Sequence, residues 1–202
     1  MEKSIMRKLI PSMLVLSVIL MACDASQARA QRSVNLAANW QAKIRRMLPL
    51  LGHRNWILIV DSAYPLQISP GIETIETGQG LPEVTKYVLN LVDHSIQVRP
   101  DVYMDAELPF IDAADAADEP EVSRYQNQIR TVLQNRKVNF RPHEQLLRQI
   151  NDIGATYKIL VLKTNETIPY TSVFLRLDAK YWSDEAEARL REAMKHASHS
   201  PQ

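Results

Sequence analysis

Apolar residues recur every three or four positions at Leu36, Trp40, Ile44, Met47, Leu48 and Leu51, a helical stripe that Pro49 and Gly52 bring to an end. The pattern then changes. Trp56-Ile57-Leu58-Ile59-Val60 is an unbroken apolar run of strand length, expected where a strand is covered on both faces. Pro65 to Pro82 holds three glycines and three prolines and reads as a loop or set of turns. A second helical stripe follows at Leu81, Val84, Tyr87, Val88 and Leu91. Short alternating runs at Ile96–Val98 and Val102–Met104 predict two strands with a turn at Pro100-Asp101. Val122, Tyr125, Ile129, Val132 and Leu133 mark a third helix. A fourth opens after Pro142, with Leu146, Leu147, Ile150 and Ile153 on one face and Gly154 as its stop. Tyr157 to Leu162 and Val173 to Leu177 are further buried strands, and a last helix starts near Ser183. Helices alternating with buried strands predict one α/β domain built on a mainly parallel sheet.

Composition adds a core and an address. With 46% hydrophobic and 23% charged residues among 202, the chain can bury a sizeable interior. Lys3, Arg7 and Lys8 precede an apolar stretch from Leu9 to Ala22, which has the length of a signal peptide and is short for a membrane span. Leu20-Met21-Ala22-Cys23 looks like a lipoprotein cleavage box, with Cys23 as the lipidated first residue. Ala28-Arg29-Ala30 offers a second cleavage site, and either one predicts export to the periplasm or to a membrane surface. The expected organisation is a signal peptide over 1–22, a tether over 23–35, the domain over 36–177 and a helical extension over 178–202. Cys23 is the only cysteine, so no disulfide forms within the chain. Removing 1–22 takes the 24 basic and 23 acidic residues to 21 and 22, a net charge of −1. A near-neutral domain has no electrostatic reason to bind nucleic acid. An uncharged partner suits it better.

No phosphate-cradling glycine loop, HExxH, CxxC or GxSxG occurs. What remains is His, Asp and Tyr at the ends of elements. Asp61 follows a buried strand, where ligands of α/β sheets gather, although position alone slightly favours a helix or turn cap. Tyr170 lies in the turn between two other strands. His53 follows Gly52 and could simply close the first helix. His143 stands in the first turn of its helix, where a neutral imidazole both donates and accepts a hydrogen bond and suits a sugar hydroxyl better than a phosphate. The acidic segment Asp112-Ala113-Ala114-Asp115-Ala116-Ala117-Asp118 lacks EF-hand spacing and reads as a solvated helix or loop. His196 and His199 read as exposed residues of the tail, and no metal site is predicted.

Four segments gain meaning as an ordered set: Leu51-Gly52-His53, Asp61-Ser62-Ala63-Tyr64-Pro65, Pro142-His143-Glu144-Gln145, and Asn165-Glu166-Thr167-Ile168-Pro169-Tyr170-Thr171-Ser172. Together they resemble the D-ribose pyranase / L-fucose mutarotase family, over about Trp40 to Arg176. The resemblance implies a sheet flanked by helices, interconversion of monosaccharide ring forms or anomers, no cofactor, and a homo-oligomer that is often a ring. It makes His53 the proton donor and Asp61 and His143 sugar-binding groups. Tyr170, Thr171 and Ser172 become the remaining sugar contact, near a subunit boundary. Three departures stand out: Ser172 replaces an Asn, Asn165 replaces a Gly, and the leader, acidic insertion and tail are additions. They keep open the alternative of a non-catalytic sugar-binding or assembly lipoprotein on the same fold.

Overall fold

The computed structural model describes residues 39–111 and 119–198 together with Gln27 and Gln31. The proposed signal peptide, Cys23, nearly all of the tether, the run Asp112 to Asp118, and His199 lie outside the described residues. The first helical stripe forms α1 (39–47), which runs into a 3-10 turn at Leu48–Leu50. The sheet strands are β1 (Trp56–Val60), β2 (Ile72–Glu76), β3 (Val98–Asp105), β4 (Val138–Arg141), β5 (Ile159–Lys163) and β6 (Val173–Ala179). The later helices are α2 (Leu81–Asp93), α3 (Glu119–Val132), α4 (His143–Gly154) and α5 (Asp184–Ser198).

The six strands lie in the order β2-β5-β1-β6-β3-β4. β1, β2 and β5 run parallel, as do β3 and β4, and β6 is antiparallel to both β1 and β3. The expected mainly parallel α/β sheet is therefore present. Alternation along β1 divides the interior in two. Ile57 and Ile59 join Trp40, Val88 and Tyr125 on the face covered by α1, α2 and α3. Trp56, Leu58 and Val60 join Leu146 and Ile150 of α4 on the other face.

Three elements differ from the sequence reading. β2 lies inside the expected loop. Its side chains are only partly covered and Glu73 bridges Lys43 and Lys158, so no apolar run announces it. Its approach requires Gly71, where a Cβ would lie 2.4 Å from the carbonyl oxygens of Gly154 and Tyr157. β4 is a four-residue edge strand with Phe140 and Arg141 exposed. β3 continues through Pro100 where a turn was expected. β4 pairs only with Val102–Asp105, so Pro100 lies on an open edge where a residue without an N–H is tolerated.

Candidate active site

The carboxyl ends of the parallel strands meet the start of the antiparallel β6, and this junction gathers most of the anticipated residues. Asp61 terminates β1. Its Oδ1 accepts from the Ala63 amide at 2.8 Å, and its Oδ2 accepts from the Ser172 hydroxyl at 3.1 Å. The turn before β6 is pinned on three sides. Ser62 donates to the Glu166 carbonyl at 2.8 Å, the Thr171 hydroxyl to the Ile168 carbonyl at 2.7 Å, and the Tyr125 hydroxyl to the Thr171 carbonyl at 2.5 Å. Thr171 and Ser172 are fully buried, so both hydroxyls are spent within the protein. Tyr170, which precedes them in that turn, is exposed, with φ at 58°. A bulky side chain in the left-handed region is strained, and the surrounding hydrogen bonds hold it there.

His143 opens α4 and stands edge-on to the Tyr170 ring, with centroids 5.4 Å apart. Its position is fixed from another element. Both Glu107 carboxylate oxygens accept from the His143 backbone N–H, at 3.0 and 3.1 Å, so a carboxylate caps the positive end of α4. Beneath the imidazole lies Asp105, the last residue of β3 and wholly sealed from solvent. His143 Nδ1 comes within 3.1 Å of Asp105 Oδ2. The approach is off the line of a hydrogen bond, and Nδ1 and both Asp105 oxygens have no hydrogen-bond partner among the described residues. Distance makes this an ion-pair contact and angle denies it a hydrogen bond; the electrostatic attraction survives either way.

Burial pushes the Asp105 carboxyl up to about 6, against the opposing pull of His143 and with the help of Glu107 and Asp61. The buried phenol of Tyr64 is also pushed up, by burial first and then by the charges of Asp105 and Asp61. The junction is thus acidic and half-desolvated, with one imidazole among three carboxylates. Neither Asp105 nor Glu107 was anticipated from the sequence. The available signal was the one that picked out Asp61: an acid directly after an apolar strand.

His53 is elsewhere. It precedes β1 while Asp61 follows it, and five strand residues at about 3.3 Å each separate them by roughly 17 Å. At that amino end His53 Nδ1 is 2.7 Å from Asp178 Oδ1, and Arg54 Nε donates to Nε2 at 3.2 Å. This network assigns the proton to Nδ1. Asp178 is tied in turn to Arg99, which also bonds Asp184 at the start of α5. Burial disfavours the Asp178 charge, yet Arg99 and His53 hold its carboxyl below the usual range. Within one chain, then, Asp61, His143, Tyr170 and Ser172 come together and His53 does not. His196, at the far end of α5, lies 3.3 Å from Glu192. An apolar recess of about 450 Å³ between α3 and β4 is lined by none of these residues.

Residues 38–179 match the model of the RbsD / FucU transport protein family. The chain belongs to this family. Among solved RbsD / FucU-type structures, Bacillus subtilis RbsD complexed with D-ribose shares 16% identity over 67% of this chain and 91% of its own, with a TM-score of 0.47. FucU from Bifidobacterium longum shares 16% over 68% and 94%, with a TM-score of 0.46. The fucose mutarotase of Streptococcus pneumoniae, complexed with L-fucose, shares 16% over 67% and 91%, with a TM-score of 0.43. No curated protein sequence matches the chain.

Proposed function

We propose that this protein interconverts the cyclic forms of a monosaccharide, pyranose with furanose or one anomer with the other, by acid–base catalysis without a cofactor. The observation that carries the reading is the meeting of Asp61, His143 and Tyr170 at the carboxyl ends of the strands, in a chain of the RbsD / FucU family. Asp61 accepts sugar hydroxyls, and the Tyr170 ring gives a sugar face an apolar wall beside His143. His143 or Asp61 takes the proton of the anomeric hydroxyl. The bond between the anomeric carbon and the ring oxygen breaks, its electron pair stays on that oxygen, and an acid protonates it there. Reclosure reverses each transfer, so no net proton is consumed.

His53 is the acid in this reading, supplied by a neighbouring copy in a homo-oligomer: Nε2, protonated in place of the bond from Arg54, gives its proton to the ring oxygen while Nδ1–H stays on Asp178, and reclosure returns it. Two features support that arrangement: the span of β1 removes His53 from its own chain's Asp61, and 58% of the His53 side chain is exposed and open to a neighbour. A leader cut before Cys23 or after Ala30 would make the enzyme an exported one, held at a membrane by lipid or free in the periplasm. Magnetisation exchange between the anomers of ribose, fucose and related aldoses tests the activity. Faster exchange in proportion to enzyme is expected; unchanged rates for every sugar at high enzyme would overturn it. One observation favours a second reading, sugar binding without catalysis. The Ser172 hydroxyl is turned inward onto Asp61 and is wholly buried, where the family resemblance leads one to expect an Asn amide. Sugar-dependent shifts with unaltered exchange would select it.

A further inference from the structure

The Asp105 carboxylate is a group at the junction that the proposed chemistry leaves unused. It is fully buried, no hydrogen-bond donor among the described residues reaches either oxygen, and an imidazole nitrogen equally sealed from solvent lies 3.1 Å from Oδ2. An unpartnered buried carboxylate is costly to a fold, because its charge has lost water and gained no donor in return. It contributes nothing as a cap either, since Glu107 already caps α4.

We propose that Asp105 is a positioning residue for His143: it holds the imidazole as the Nδ1–H form, so that Nε2 is the nitrogen that exchanges a proton with the sugar. The inference rests on the reading above and deepens it, by naming which nitrogen reacts and what fixes it. Asp105 touches no substrate, because it is beyond solvent reach. It acts through the ring, as a buried carboxylate does when it orients a general base.

A short rotation of the imidazole brings Nδ1–H onto the Oδ2 axis, since the separation of 3.1 Å is already that of a hydrogen bond. Tyr170 against the ring edge and Glu107 on the backbone restrict the imidazole to such small motions. The groups that act most on the pair are acidic or phenolic: Asp61 after β1, Tyr64 from the loop beyond it, Glu107 from the turn after β3, Tyr125 from α3 and Tyr170 from the turn before β6. The Lys163 ammonium at the end of β5 is spent on the Tyr64 carbonyl at 2.9 Å, and His143 is the basic group set directly against Asp105.

Imidazole nitrogen NMR on the full chain at pH 7.5 reads the tautomer directly and needs no sugar. The wild-type His143 is expected as Nδ1–H, and Asp105→Leu, which removes the acceptor, is expected to shift the ring toward Nε2–H. A wild-type ring already in the Nε2–H form overturns the proposal without any variant having to fold. Anomer exchange gives the second readout. Asp105→Asn should lower kcat roughly 10- to 100-fold, a part of what general-base catalysis contributes, and change KM less than about threefold. A loss confined to KM, or an unchanged kcat, also overturns it. If the wild-type protein accelerates no sugar at all, the activity reading fails, while the tautomer measurement still decides the role of Asp105.

Discussion

At the amino end of β1, an exposed His53 and a partly buried Asp178 are bonded to each other and backed by Arg99, Arg54 and Asp184. At the carboxyl end, His143 and Asp105 are an equally simple His–Asp pair, but Asp105 is sealed, and neither its oxygens nor His143 Nδ1 has a hydrogen bond among the described residues. The same two residue types are thus held in opposite states. A satisfied, solvated pair costs little and stabilises little. A sealed, unsatisfied pair costs stability and persists only where something else is gained. The contrast supports the proposed placing of the chemistry at the carboxyl end, and in that proposal the amino end has a different task, presentation of His53 to a neighbouring copy.

Removing the acid–base groups of the carboxyl end should have the largest consequence. His143→Gln and Asp61→Asn are each expected to slow sugar exchange by about 10²–10⁴-fold, the usual contribution of a positioned acid or base, with the melting temperature little changed. Retained exchange in both variants would place the reaction elsewhere. Mixing sharpens the comparison between the ends. His53→Ala and Asp61→Ala, each inactive alone, should regain measurable exchange when dissociated and reassembled together, because some interfaces then pair an intact His53 with an intact Asp61. Absence of complementation in a verified mixed oligomer would return the whole site to a single chain and leave His53 outside it.

The carboxyl end was largely legible because its residues sit where pattern is strongest. Asp61 follows an unbroken apolar run, and His143 follows a proline that opens a strongly amphipathic helix. Asp105 was hidden by a proline that looked like a turn. Pro100 split β3 into two short runs, and its last residue was therefore never seen as the end of a buried strand. β2 and β4 escaped because edge strands bury little and carry charge, which removes the periodic signal by which strands are found. The separation of His53 from Asp61 was implicit in the sequence, since a buried strand lies between them.

Stability against pH distinguishes the ends next. The Asp105 carboxyl is raised to about 6 in the folded protein from an ordinary value of 3.8. The folded state therefore holds more protons between those values, and stability falls as pH rises from about 4 through about 6. Asp105→Asn, which cannot charge, should be more stable than wild type at pH 8 by on the order of 2 kcal/mol, and the gain should vanish by pH 4. Denaturant titrations at the two pH values measure it. A difference independent of pH would mean that the amide's packing, not the buried charge, is being read.

The smallest effect belongs to the amino end, and its sign is reversed. Arg99 and His53 hold the Asp178 carboxyl below its ordinary value, so Asp178 contributes stability that is present above the unfolded value and lost as pH falls through the folded one. Asp178→Asn should therefore destabilise at pH 7, and the loss should fade toward pH 3. Because the Arg99 and His53 side chains are 35% and 58% exposed, solvent screens the network and the expected cost is about 0.5–1 kcal/mol. The informative part is sugar exchange in the same variant. Without Asp178 the Nδ1–H of His53 loses its acceptor and the ring is freed to turn, so an acid that serves a neighbour's sugar should be misplaced and exchange should slow several-fold. Equal exchange in Asp178→Asn and wild type, with the small stability loss observed, would reduce the amino end to a surface ion network and leave the proton for the ring oxygen to come from another group.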